Sequence, residues 1–162
     1  MLVHNDNLVL HEFNIARLSA PLDHHDNAEF VAVLEAVNAI AEVSDGFIWR
    51  LKSDDERSAT YVEVYDDPQL IVNYTVWRDL DSLRHFTYRS GHGAYFRRRR
   101  EWFDEGSSQI VCWWMPRAVE PTIDEAMRRL ADLERLGPTP DAFTLTTAFL
   151  ANREPERQKN GG

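Results

Sequence analysis

The chain has 162 residues, a hydrophobic fraction of 43% and a formal net charge of −9. These values suit one globular domain and argue against nucleic acid as the main partner. The single cysteine, Cys112, excludes an intrachain disulfide, so we expect a cytoplasmic protein rather than a secreted one. No apolar run approaches the roughly 18–20 residues of a membrane span, and the N-terminus lacks the apolar core of a signal peptide.

The first half of the chain predicts one helix between strands. Apolar and polar residues alternate loosely over Leu8–Leu18, which places Leu10, Glu12 and Asn14 on one face of a strand. Asn27–Val43 carries apolar residues at the spacing of an amphipathic helix. Further strands are predicted at Gly46–Leu51, at Leu70–Trp77 and, as a short edge strand, at Thr60–Tyr65.

A second helix is predicted from Leu80 to Phe103, capped by Asp79 or Asp81. The segment Arg78–Glu101 holds seven arginines and three acidic residues, a local charge of +4, so the rest of the chain carries −13. Within it, Arg97–Arg100 is interpreted as a solvated or dimer-facing helix end; the alternative is recruitment of an anionic substrate.

The C-terminal part predicts one strand, one helix and another strand. The strand Ile110–Met115 is stopped by Pro116, and a helix over Pro121–Leu136 begins with a capping box formed by Thr122 and Glu125. A final strand is predicted at Ala142–Phe149. The chain is therefore expected to form one domain over 1–151, followed by a disordered tail over 152–162.

The predicted order of elements is β-α-β-β-α-β, then an extra helix and strand. This is the α+β ferredoxin-like arrangement, in which helices cover one face of the sheet. A bare second face carrying aromatic side chains would require a partner. We therefore expect two chains to pair as a homodimer, closing a dimeric α/β barrel.

Several motifs resemble a family of unknown function within the dimeric α/β-barrel superfamily. They are FNIARL at 13–18, GFIWRL at 46–51, VW at 76–77, FTYRSGH at 86–92, RRRREWF at 97–103 and WWMP at 113–116. More distantly, Trp77, His85, Ser90 and His92 resemble a pattern of antibiotic-biosynthesis monooxygenase-type domains. These resemblances imply a small-molecule pocket between sheet and helices, and they do not select the reaction.

The second predicted helix supplies a stripe of polar candidates. At helical spacing, one face would present His85, Tyr88, His92, Tyr95 and Arg99. In this interpretation His92 is the catalytic base, Tyr88 a catalytic phenolic donor, and Arg99 an anion clamp; His85 and Tyr95 bind substrate. The alternative is that the stripe lies against solvent or the second chain.

The predicted strands add four further candidates. Asn14 and Asn73 are polar residues within apolar strands, and a buried amide needs a hydrogen-bond partner, either a substrate or the backbone. Asn14 also resembles a pocket-facing asparagine of cofactor-free oxygenases, which implies a catalytic role. Trp49 and Trp114 are candidates for the wall of an aromatic cavity, with core packing as the alternative.

The sequence thus predicts a small-molecule enzyme that needs no cofactor: a monooxygenase, cyclase or isomerase acting on an aromatic or polyketide-like compound. One alternative is a haem-binding protein with His92 as the axial ligand. Another is a non-catalytic ligand-binding dimer. No metal site is predicted, because the His24-His25 pair is adjacent in sequence and no second ligand cluster accompanies it.

Overall fold

We describe a computed structural model of the chain, covering residues 7–21, 24–52, 67, 69–89, 101–104, 106 and 109–157. The predicted edge strand Thr60–Tyr65 lies outside these residues. No helix in the described ranges is long and apolar enough to cross a membrane.

The described elements form one four-stranded sheet and three α-helices. The strands are β1 (Leu8–Arg17), β2 (Phe47–Arg50), β3 (Leu70–Trp77) and β4 (Gln109–Pro116); the helices are α1 (Ala28–Glu42), α2 (Leu80–Arg89) and α3 (Ile123–Leu136). The strand order is β2-β3-β1-β4, and every neighbouring pair is antiparallel. With the chain order β1-α1-β2-β3-α2-β4, this topology confirms the predicted ferredoxin-like α+β fold.

The alternation of side chains along β1 divides the core into two parts, one on each face of the sheet. One face of the sheet, which includes Leu10, packs against α1 and α2 through residues such as Val37 and Leu83. The other face, which includes Phe13, packs against Ala126 and Leu130 of α3. The first face, called here the α1/α2 face, carries the candidate site.

Helix α3 covers the second face of the sheet, so the prediction that this face is bare is wrong. The large side chains there are buried within the single chain: Phe13 and Trp113 are 0% exposed and Tyr74 is 1% exposed. The apolar side of α3 provides this cover, and Thr122 caps the helix by accepting a hydrogen bond from the Glu125 backbone N–H at 3.2 Å. Pairing of two chains stays a prediction, but burial of this face does not require it.

Two predicted elements are wrong in their extent. Ala142–Phe149 forms isolated bridges instead of a strand, because its backbone pairs with β4 at one position, Phe143 with Cys112. The second helix does not reach Phe103, since Phe103 forms a bridge to Leu18 at the end of β1. The disordered tail over 152–162 stays a prediction; within it, the Glu156 carboxylate pairs with Arg84 of α2 at 2.6 Å.

Candidate functional site

A cavity of about 400 Å³ lies on the α1/α2 face of the sheet. Apolar side chains from both helices, including Leu34, Val37, Leu83 and Phe86, form much of its wall. The sheet contributes a group of polar side chains, namely Glu12, Asn14, Asn73 and Thr75. The volume falls within the range of small-molecule sites, and an apolar wall with a few convergent polar groups is typical of them.

Glu12 is the buried acid of this cavity. Glu12 is only 7% exposed, and both of its carboxylate oxygens accept hydrogen bonds. Asn14 Nδ2 donates to Oε1 at 2.7 Å, and Thr75 Oγ1 donates to Oε2 at 2.9 Å. The strand register explains the cluster, because Glu12 is paired with Thr75 on β3 and Asn14 lies two residues along the same face of β1.

Burial raises the pKa of Glu12 to about 7, although the hydrogen bonds from Asn14 and Thr75 favour the charged form. Desolvation dominates because a carboxylate loses its hydration when it is enclosed by apolar side chains. At neutral pH the group is therefore present in both protonation states. A carboxyl with these properties in a cleft is a candidate general acid or base.

Asn14 and Asn73 face each other as a cross-strand pair on the cavity floor. The Asn14 amide is already bonded to Glu12. The Asn73 side chain has no hydrogen-bond partner among the described residues, although Asn73 is only partly exposed. Its amide is therefore available to a bound molecule, either as a donor or as an acceptor.

The mouth of the cavity combines α2 with the C-terminal segment, which comprises residues 137–157 after α3. Tyr88, in the last turn of α2, lines the cavity and is 53% exposed, so its phenol stands at the rim. Thr144–Thr146 form another part of the lining. Arg84 holds this segment against α2, because its Nη2 donates to the Leu145 carbonyl at 2.8 Å in addition to pairing with Glu156.

Three predicted binding residues lie away from the cavity wall. His85 is exposed on α2 and is not part of the lining. Trp49 packs on the opposite face of the sheet, edge-on to Tyr74 with ring centroids 5.3 Å apart. Trp114 lies under the C-terminal segment, where its Nε1 donates to the Phe149 carbonyl at 2.9 Å. The assignment of these three side chains to substrate binding stays a prediction.

The remaining predicted site residues, His92, Tyr95 and Arg99, lie outside the described residues, as does the Arg97–Arg100 run. The predicted base, the haem alternative and the anion clamp therefore stay predictions. Within the described ranges, no three His, Cys, Asp or Glu side chains are grouped so as to hold a metal ion.

Glu12 and Thr75 line the cavity but were not predicted from the sequence as site residues. The signal for Glu12 was present, since the alternation along β1 places it on the same face as Asn14. A charged residue inside a strand rich in apolar residues points to a buried or functional carboxyl. Thr75 gave no such signal, because threonine is common in strands for its shape alone.

The opposite face holds a second buried polar pair, formed by His11 and Tyr74. His11 Nδ1 and the Tyr74 hydroxyl are 2.6 Å apart, and both residues are 1% exposed. Burial, and then the nearby positive charge of Arg129, lower the pKa of His11 to about 4. Burial likewise raises the pKa of Tyr74. Both groups are neutral at pH 7, which suits a structural hydrogen bond beneath α3.

Fold and site together define a ferredoxin-like α+β protein with a buried carboxyl in a cavity of small-molecule size. The chain belongs to the family described as Domain of unknown function (DUF3291), which matches residues 9–159. No curated protein matches the chain.

Solved structures with a similar arrangement include three that are distant in sequence. PA3566 from Pseudomonas aeruginosa is 16% identical over 70% of this chain and 98% of its own, with a TM-score of 0.48. SnoaB, a cofactor-independent oxygenase from Streptomyces nogalater, is 17% identical over 72% and 97%, with a TM-score of 0.47. The monooxygenase ActVA-Orf6 of Streptomyces coelicolor, solved with nanaomycin D, is 15% identical over 75% and 100%, with a TM-score of 0.48. These similarities are too low to transfer an activity to this chain.

Proposed function

We propose that the chain is an enzyme that moves a proton on a small neutral carbonyl compound, with Glu12 as the general base. The observation that carries this proposal is the position of the Glu12 carboxyl, buried on the floor of a cavity of about 400 Å³. A base of pKa about 7 is ionised often enough at neutral pH to accept a proton, and it becomes a useful acid once protonated.

The lining supports a neutral, largely apolar substrate. The described lining residues include no Lys, Arg or His, so none of them carries a positive charge that could neutralise an anionic ligand beside Glu12. The apolar wall from α1 and α2 suits a hydrocarbon skeleton. These properties fit the aromatic or polyketide-like compounds that the sequence predicts.

The proposed first step is enolisation. The Glu12 carboxylate removes a proton from the carbon next to the substrate carbonyl; the electron pair of that C–H bond forms a C=C bond, and the π pair of the carbonyl moves onto its oxygen. The Asn73 amide is positioned to donate to this oxygen as it becomes negative. Protonated Glu12 then returns the proton, either to another carbon in an isomerisation or to the alkoxide formed when the enolate closes on a second carbonyl in a cyclisation.

An oxygenase of the kind predicted from the sequence would share this first step. The electron-rich enolate would then react with molecular oxygen, which would be a co-substrate. In each of these reactions Glu12 takes the role of base that sequence reasoning gave to His92. Tyr88, at the rim, is proposed to contact the substrate without exchanging its proton.

The test uses 2-tetralone, a neutral bicyclic ketone, as the probe. Binding in the cavity is established first from changes in the amide NMR signals of the lining residues. The exchange of its α-protons for deuterium is then followed by NMR in deuterated buffer near pH 7, with wild-type protein, Glu12→Gln and Glu35→Gln. Glu35 is exposed on α1 and serves as the matched control.

The proposal expects wild-type protein and Glu35→Gln to accelerate exchange equally, and Glu12→Gln to lose about 100-fold or more of that acceleration, because a general base contributes about 100-fold to 10,000-fold. A probe that binds in the cavity without accelerated exchange would contradict the proposed chemistry. Failure of this and related neutral bicyclic ketones to bind at millimolar concentration would contradict the proposed substrate class.

A further inference from the structure

We infer that Thr75, oriented by Trp77, is a positioning residue that sets the strength of Glu12 as a base. This inference rests on the proposed function for its catalytic meaning. The hydrogen bonds that carry it run in one direction: Trp77 Nε1 donates to Thr75 Oγ1 at 2.8 Å, and Thr75 Oγ1 lies 2.9 Å from Glu12 Oε2.

The direction of this chain follows from the chemistry of its members. An indole N–H can only donate a hydrogen bond, so the Thr75 oxygen must accept from Trp77. A hydroxyl has a single proton, and among the described residues Glu12 Oε2 is its one acceptor. Thr75 is therefore held as a donor to Glu12, and this arrangement favours the carboxylate over the neutral acid.

The burial of all three residues strengthens these hydrogen bonds. Glu12, Thr75 and Trp77 are 7%, 4% and 0% exposed, so bulk water does not compete for these hydrogen bonds. Trp77 is itself fixed in the core, stacked on Phe86 with centroids 5.0 Å apart and edge-on to Phe47 at 5.5 Å. The orientation of the Thr75 hydroxyl is thus set by the packing of the core.

The consequence is a balance between two opposing effects on Glu12. The apolar wall favours the neutral acid, while the donors Thr75 and Asn14 favour the carboxylate. Without the fixed Thr75 donor, burial would keep Glu12 protonated to higher pH, and less of the protein would hold a competent base at neutral pH. Asn14 and Thr75 both line the cavity, but only Thr75 also accepts a hydrogen bond from the buried Trp77 behind it.

The test is a direct titration of the Glu12 side-chain carboxyl by ¹³C NMR, with Glu12→Gln identifying the signal. We expect Thr75→Val to raise the pKa of Glu12 by about one unit, the size of one hydrogen bond to a charged group. Thr75→Ser, which keeps the hydroxyl, restores most of the wild-type value. Trp77→Phe raises the pKa by a smaller amount, about a few tenths of a unit, because it removes only the polarising donor.

Two controls separate the hydrogen-bond chain from general loosening of the core. Trp114→Phe also removes a partly buried indole hydrogen bond, but one directed at the Phe149 carbonyl, and leaves the titration unchanged. In a Thr75→Val background, Trp77→Phe no longer shifts the pKa. A Trp77→Phe shift that persists in that background, or a Thr75→Val protein with an unchanged or lowered pKa, would overturn the inference.

The titration requires no substrate, so its result is separate from that of the proposed function. Amide NMR spectra first confirm that each variant is folded. If Trp77→Phe does not fold, the pair Thr75→Val and Thr75→Ser decides the question alone. Titrations that shift as expected in a protein without proton-exchange activity would remove the proposed function and leave the positioning role of Thr75 in place.

Discussion

Replacing Glu12 by glutamine is expected to stabilise the fold at alkaline pH and to leave it nearly unchanged at acidic pH. The pKa of Glu12 rises from 4.5 in the unfolded chain to about 7 in the fold. Stability from this group is therefore fully present below pH 4.5 and is lost as the pH rises through 7. A difference of about 2.5 units corresponds to about 3 kcal/mol at pH 8.

Glutamine imitates the neutral acid, since its oxygen accepts from Asn14 and its amide group donates to the Thr75 oxygen, whose own proton no longer has Glu12 Oε2 as an acceptor. The free energies of unfolding of wild type, Glu12→Gln and the exposed control Glu35→Gln are measured by urea denaturation at pH 4.5, 6 and 8. We expect the advantage of Glu12→Gln over wild type to grow with pH, up to about 3 kcal/mol. An advantage that is equal at pH 4.5 and pH 8 would show that Glu12 titrates normally and would refute this reasoning.

Three further predictions follow from other parts of the fold. Because burial lowers the pKa of His11 to about 4, the stability that this group gives the wild-type protein falls as the pH drops from 6.5 towards 4. In the same urea assay, His11→Asn should remove up to about 3 kcal/mol of this pH dependence. An unchanged pH dependence in His11→Asn would contradict the prediction. Gly46 and Gly137 both have positive φ, but a Cβ at Gly46 would lie 2.5 Å from the Ser82 Cβ, while nothing lies within 4 Å of a Cβ at Gly137. Thermal denaturation should therefore show Gly46→Ala to be less stable than Gly137→Ala by at least about 1 kcal/mol. Equal stabilities of the two variants would contradict the contact with Ser82. Arg84→Met should speed amide hydrogen exchange at Leu150 and Glu156 in the C-terminal segment about fivefold or more, while the β1 amides keep their exchange rates. Unchanged exchange rates at Leu150 and Glu156 would show that the Arg84–Glu156 ion pair does not hold the segment.

The fold was largely predictable because its signals are local. Side-chain alternation along β1 and the apolar residues of Leu70–Trp77 define two central strands, and helical spacing defines α1. The capping residue Thr122 marks the start of α3. These patterns depend on a few neighbouring residues, and the ferredoxin-like order follows from their sequence along the chain.

The features that sequence reasoning missed depend on distant contacts. The amphipathic pattern of α3 indicates a buried side but not which face of the sheet it covers, so the second face was wrongly expected to be bare. Ala142–Phe149 has the composition of a strand, yet strand formation requires a neighbour along its whole length. Glu12 becomes a candidate base only because α1 and α2 close over it.

The candidate site was found in part from sequence. Asn14 and Asn73 were singled out as polar residues in apolar strands, and the structure brings them together on the cavity floor. Trp49 and Trp114 were selected for their aromatic rings alone, a property that core packing uses as often as ligand binding. Helical spacing linked His85 with Tyr88, but only Tyr88 turns towards the cavity.

The most direct test of the proposed chemistry is the pH dependence of α-proton exchange in bound 2-tetralone. With Glu12 as the base, the protein-dependent rate should rise tenfold per pH unit at low pH and level off near pH 7, following the ionisation of Glu12. Glu12→Gln should lack this dependence, and Glu35→Gln should keep it. A protein-dependent rate that levels off near pH 7 equally in Glu12→Gln would assign the base to another residue and contradict the central claim.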